Sequence, residues 1–181
     1  LDDRGQFYLD RMMITADNMR FLLDDLLLYS RLIQAPPTFA PVDANTQVLK
    51  ALENLEIAIM EKDAFIDVEP LPRITGNEWQ VRQLFQNIIA NSVKYAKENV
   101  PPKITIRGTA VDGQWAAITF RDNGIGFDEK YLSKVFKPFQ RLHSRGEYQG
   151  TGMGLTICKK IVEHHKGEIR IKSTPDQGTS V

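Results

Sequence analysis

The stretch from Phe7 to Ile33 constrains the chain more than any other. Leu9, Met12, Ala16, Met19, Leu23, Leu26, Ser30 and Ile33 recur at alternating spacings of three and four. That is the signature of one apolar seam sustained along a single helix. Phe21, Leu22, Leu27 and Leu28 widen the stripe beyond a two-helix seam. Such a helix calls for more than one partner, as in a four-helix bundle, or for a seat on its own domain. It stops at "QAPPTFAPVD", Gln34 to Asp43, where three prolines end the helix and stiffen the connection. The chain therefore divides into a helical unit over 1–35, a linker over 36–42 and a second domain over 43–181.

The second domain mixes helices and strands. Asp43 caps a predicted helix running to Glu61, and a second runs from Asn77 to Lys97. Short strands are expected at Ala64–Val68 and Arg73–Thr75. Lys103–Val111 and Gln114–Arg121 form a hairpin around Asp112-Gly113. A short helix at Glu129–Val135, a helix at Thr151–His165, a strand at Glu168–Ser173 and a final strand at "GTSV" complete the order. This is not a regular βαβ series, so an α+β layer with a mixed sheet is expected rather than a doubly wound one.

Composition excludes several classes of function. Lys+Arg and Asp+Glu both number 23, so the charge balance gives no sign of a polyanion-binding surface, and no nucleic-acid partner is expected. One cysteine, Cys158, allows neither a disulfide framework nor a thiolate metal site. There is no signal peptide and no apolar run long enough to span a bilayer. The chain begins at Leu1 and reads as a piece of a longer protein, so any membrane anchor or sensor would be expected outside it.

"YQGTGMGLTICKK" places Gly150, Gly152 and Gly154 ahead of an amphipathic run. It lacks the Gly-Lys-Ser/Thr of a Walker loop. Leu155 stands where a dinucleotide fingerprint needs its third glycine, and no strand precedes the loop. What remains is a set of unencumbered N–H groups at a helix N-terminus, suited to an anion. Its alternative is a flexible loop before a core helix. In "LFQNIIANSVKYAKE", Asn87, Asn91, Lys94 and Tyr95 fall on one helical stripe beside an apolar one of Val81, Phe85, Ile88, Ile89, Ser92 and Ala96. Amide oxygens can ligate Mg²⁺ alongside phosphates, and the lysine can meet a phosphate; the other reading is a solvated face. In "ITFRDNGIGF", Asp122 ends the strand face of Ala116, Ile118 and Phe120. A shielded carboxylate needs donors, and an adenine amine is one. Gly124 and Gly126, flanking Ile125, would let a flat base approach. Equally, Asp-Asn-Gly commonly caps its own turn.

The asparagine helix, "DNGIGF", "VFKPF" and "GTGMGL" occur in that order. Together they resemble the N, G1, F and G2 boxes of sensor histidine kinases of two-component systems. The resemblance covers Asp43 to Val181, and "FQRLHSRGEYQGTGMGL" is similar in character to the PAS-linked and phytochrome-like members. It implies the two-layer α/β sandwich with a mixed sheet (the Bergerat-type ATP-binding fold) that the family shares with DNA gyrase, MutL and the large heat-shock chaperones. It also implies that Phe7–Ile33 is the second helix of the dimerisation and phosphotransfer hairpin. Asn91, with Asn87 nearby, would hold Mg²⁺. Lys94 would face phosphate and Tyr95 the nucleotide. Asp122 would take the adenine amine, with Gly124, Ile125, Gly126 and Thr179 around the base. Gly150, Thr151, Gly152, Met153, Gly154 and Leu155 would close over the phosphates, and Arg141 and Arg145 would approach the γ-phosphate.

ATP-hydrolysing relatives carry a glutamate where Asn87 stands, and an amide cannot serve as general base for water. Transfer to another nucleophile is therefore expected, and this needs mainly positioning and charge neutralisation. The expected function is the ATP- and Mg²⁺-dependent catalytic core of a cytoplasmic histidine kinase. The core would dimerise through the N-terminal helix and serve a response-regulator receiver domain. The alternative is a nucleotide-sensing or degenerate kinase that acts by docking partners. None of His143, His164 and His165 suits the acceptor, which is expected upstream of Leu1.

Overall fold

A computed structural model describes residues 2–34, 38–113, 115–142 and 150–181. Pro36 and Pro37 of the break, Gln114 of the hairpin, and His143 and Arg145 of the lid region lie outside the described residues. Helix α1 (Asp3–Gln34) follows the predicted seam for its whole length. The prolines that end it are followed by a strand, β1 (Ala40–Asp43), so the segment read as a linker contains regular structure. β1 pairs antiparallel with β3 (Arg73–Gly76), Val42 opposite Ile74, in a two-stranded ribbon apart from the main sheet. β1 is hard to see in the sequence because four residues containing a proline show no alternation of their own.

The main sheet has the order β2-β4-β5-β7-β6, with β2 (Phe65–Val68), β4 (Lys103–Val111), β5 (Trp115–Asp122), β6 (Lys172–Thr174) and β7 (Gly178–Ser180). β2 runs parallel to β4 and the other pairs are antiparallel. This is the expected mixed sheet. Asp112 and Gly113 both take positive φ (51° and 68°), which lets the hairpin turn match the twist of its strands.

Three helices cover one face: α2 (Ala44–Asn54), α4 (Glu78–Lys94) and α6 (Gly154–His164). Val48, Ala51, Val81, Phe85, Ile88 and Ile89 from the helices meet Ile104, Ile106 and Phe120 from the sheet in the core. The rings of Phe85 and Phe120 lie 5.4 Å apart. The period-two burial of β5 keeps Ile118, Phe120 and Asp122 on the covered face, as the alternation predicts.

Helix ends move where tertiary bonds intervene. The predicted helix to Glu61 breaks at Leu55, whose N–H bonds Leu52 O, and resumes as α3 (Glu56–Glu61). α4 starts at its Asn77 cap, whose Oδ1 accepts from Gln80 N–H at 3.0 Å. It stops at Lys94 rather than Lys97 because the Tyr95 carbonyl accepts from Ile125 N–H at 2.9 Å and is lost to the helix ladder. The short predicted helix is a 3₁₀ turn (Glu129–Tyr131) followed by α5 (Leu132–Val135). Of the predicted strand Glu168–Ser173 only Lys172 and Ser173 pair, within β6, since the partner β7 offers three residues.

α1 is treated differently along its length. Met12 and Leu23 are 69% and 60% exposed, whereas Leu32 is 1% exposed. Leu28, Tyr29 and Leu32 seat the C-terminal end of α1 on Met153, Ile157 and Ile161 of the glycine turn and α6. No helix among the described residues is long and apolar enough to cross a membrane.

Candidate functional site

The C-terminal half of α4, the end of β5, the first turn of α6 and β7 converge on one cavity. Its walls include Ile88, Asn91, Ser92 and Tyr95 from α4, and Asp122, Ile125, Gly126 and Phe127 from β5 and its loop. Gln140, Arg141, Leu142, Leu155, Ile171, Thr179 and Val181 close it. Of the residues singled out in the sequence, Asn91, Tyr95, Asp122, Ile125, Gly126, Arg141, Leu155 and Thr179 therefore meet here.

Asp122 is the polar centre of this apolar cavity. Its Oδ1 accepts the backbone N–H of Gly124 at 2.9 Å and of Thr179 at 3.0 Å. Its Oδ2 accepts the Ser92 hydroxyl at 3.1 Å. Burial, the largest influence, pushes the carboxyl above its ordinary value, and these three donors pull it back. A carboxylate oxygen has room for two donors. Oδ1 is filled, and Oδ2 keeps capacity for one more, from the cavity. The aspartate thus caps its own turn and also keeps an acceptor position on Oδ2.

Ser92 is the functional neighbour that sequence reasoning missed. Its spacing places it in the apolar stripe of α4, where a lone hydroxyl is the available signal. Gly124 and Gly126 sit where the chain passes close to itself. An added Cβ on Gly124 would lie 2.5 Å from the Tyr95 carbonyl oxygen, and one on Gly126 would lie 2.1 Å from that of Thr174. Both are needed where chain crosses chain, and Gly126 also lines the cavity.

The remaining singled-out residues lie off the walls. Asn87 Oδ1 accepts from Gln83 Nε2 at 3.0 Å, and its Nδ2 lies 3.4 Å from the Gly154 carbonyl, toward α6. Lys94 holds its ammonium 4.6 Å from the centre of the Tyr95 ring. The same ammonium reaches the start of the glycine turn, where a Cβ on Gly150 would be 2.5 Å from Nζ. Gly150 and Gly152 have φ of 145° and 79°, so the helix cannot begin at Thr151 and starts at Gly154. Met153 is turned into the contact with α1. His165 donates Nδ1–H to Ile161 O and accepts Asn77 N–H at Nε2.

Residues 76–181, more than half of the chain, match the family described as histidine kinase-, DNA gyrase B-, and HSP90-like ATPase. The protein belongs to this ATPase family. Within it, the chain is 39% identical over 180 residues to phytochrome-like protein Cph1 of Synechocystis sp., covering 99% of this chain and 24% of that protein. It is 42% identical over 162 residues to cyanobacterial phytochrome A of Nostoc sp., covering 90% and 21%. It is 31% identical over 185 residues to the phosphate regulon sensor protein PhoR of Pseudomonas aeruginosa, covering 95% and 40%. The chain thus spans about a quarter of the phytochrome relatives it matches. Among solved structures, full-length ShkA in complex with AMPPNP superposes with a TM-score of 0.77 at 24% identity, covering 99% of this chain and 38% of that one. The mycobacterial sensor histidine kinase MprB superposes at 0.68 and 23% identity, covering 79% and 93%. These likenesses show that the fold is that of histidine kinase ATPase domains.

Proposed function

We propose that the chain is the ATP-binding catalytic core of a sensor histidine kinase. It passes the γ-phosphate to a histidine outside this segment, for relay to a response-regulator aspartate. The observation that carries this reading is the spare acceptor on Asp122 Oδ2, set in an apolar cavity of the ATPase fold. An adenine amine is the donor that this acceptor suits. Ile88, Ile125 and Val181 offer apolar walls to the base, and Thr179 backs the aspartate through its N–H.

The phosphates then extend toward the N-terminus of α6. Gly150, Gly152 and Gly154 offer N–H groups there, Lys94 stands at the turn, and Arg141 lies on the adjoining wall. Mg²⁺ fits this donor set. Asn91 lines the cavity, and no hydrogen bond to its amide occurs among the described residues. No cluster of His, Cys, Asp or Glu for a protein-only cage exists among them either. One amide oxygen plus substrate phosphates is the usual manner of holding this ion. When bound, Mg²⁺ neutralises charge on the β- and γ-oxygens. The chain's own contribution is to orient the nucleotide, shield it from water and withhold a base. Asn87 cannot take a proton from water, and its amide is engaged by Gln83 and the Gly154 carbonyl.

The exposed apolar stripe on α1 supports dimerisation through that helix. The domain division at residues 36–42 belongs to the same reading, with the ribbon strand β1 opening the catalytic domain. The test is phosphorylation from labelled ATP by the chain joined to its upstream helix. An acid-labile, ATP-dependent label is expected. Mg²⁺-dependent ATP binding without label would favour a nucleotide-sensing module that docks partners.

A further inference from the structure

Asp25 lies on α1, outside the segment that matches the ATPase family, yet it reaches the glycine turn. Its carboxylate accepts a hydrogen bond from the Thr151 hydroxyl. The same hydroxyl accepts the Met153 N–H at 3.2 Å. One threonine side chain therefore joins α1 to the entry of α6. The contact is held from below: Leu28 and Tyr29, three and four residues on, and Leu32 pack against Met153, Ile157 and Ile161. While α1 keeps that seat, Asp25 stays at the turn.

The carboxylate is poorly compensated there. Burial pushes its pKa above the ordinary value, Asp24 adds to this, and Thr151 opposes it. No ion pair to Asp25 exists among the described residues. A triphosphate approaching Gly150–Gly154 would meet a fixed like charge in a partly desolvated place, where repulsion is stronger than in water. Freeing the Met153 N–H for a phosphate oxygen would also require Thr151 to turn, which breaks its bond to Asp25.

We propose that Asp25 is an anionic competitor of the nucleotide's phosphate tail at the glycine turn, so that α1 in this seat weakens triphosphate binding and its withdrawal strengthens it. The inference rests on the nucleotide reading above. By linkage, nucleotide loosens the α1 seat by the same factor that the seat lowers affinity.

The test titrates ATP, and separately adenosine, onto the full chain at low and high salt. Asp25→Asn keeps an oxygen for the Thr151 hydroxyl and removes the charge. ATP is expected to bind Asp25→Asn about fivefold tighter than wild type or better, the range in which site couplings begin. Adenosine binds both equally, and the gain shrinks at high salt. Leu32→Asp, which unseats α1, also tightens ATP binding, and adding Asp25→Asn to it gives no further gain. Equal or weaker ATP binding by Asp25→Asn, with unfolding transitions like wild type, overturns the proposal alone. Absence of ATP binding in all these proteins overturns the nucleotide reading and the proposal with it.

Discussion

In an Asp122→Asn variant the amide oxygen can keep both backbone bonds, from Gly124 at 2.9 Å and Thr179 at 3.0 Å. The amide nitrogen then replaces Oδ2, 3.1 Å from a Ser92 hydroxyl that can rotate to accept. The fold keeps its bonds and loses a shielded charge. Toward the cavity, however, an acceptor has become a donor, and an adenine amine would face N–H against N–H. Losing a hydrogen bond to a charged group and leaving donors unpaired costs about 3 kcal/mol. That is about a 150-fold rise in Kd. Stability moves the other way. The folded-state pKa of Asp122 lies above its ordinary 3.8, so the folded protein holds this proton more tightly than the unfolded chain does. Wild type therefore loses stability as pH rises from about 3.8 through the folded-state pKa, whereas the variant has no such loss. Near neutral pH the variant should melt at or above wild type while binding ATP far more weakly. Calorimetric titration and thermal unfolding read the two effects separately. Unchanged ATP affinity, or a lower melting midpoint near neutral pH, refutes the reasoning.

Gly178→Ala places a Cβ 2.0 Å from the Asp122 carbonyl oxygen at a φ of 101°. A cost of about 3 kcal/mol or more is expected, lowering the melting temperature by roughly 6 °C or more. Burial pushes the Cys158 thiol up to about 12. Iodoacetamide at mildly alkaline pH should label the folded protein at least about a hundredfold more slowly than the unfolded chain, as mass spectrometry of timed samples would show. His165→Ala removes the acceptor of Asn77 N–H at 3.0 Å and the ring packed 4.8 Å from that of Phe39. Denaturant unfolding should register a loss of about 2 kcal/mol.

Much of the site was legible because it is built from local spacing. Asn91 and Tyr95 lie four apart on one helix, so both reach the cavity. Asp122 follows Phe120 by two on one strand, so it shares the covered face. For Asn87 the same spacing did not decide its neighbours. It lies one turn before Asn91, but the approach of α6 offers its amide the Gly154 carbonyl, and the cavity does not extend to it. Ser92 went unrecognised for the complementary reason. Its stripe is apolar, and only the arrival of β5 gives the hydroxyl a carboxylate to meet.

By itself, the sequence determined the elements whose cause is local. These are the heptad seam of α1, the proline-rich break after it, the Asp-Gly turn between β4 and β5, and the Asp43 cap of α2. Each follows from side-chain periodicity or from the backbone freedom of one or two residues. Only the tertiary structure decided what each element meets. It paired β1 with β3 rather than with the main sheet, and it ended α4 by giving the Tyr95 carbonyl to Ile125. It also seated the end of α1 on α6, which brings Asp25 to Thr151. Those outcomes depend on which surfaces and unpaired backbone groups come together across long chain separations, and the spacing of residues along one element carries no record of its partner.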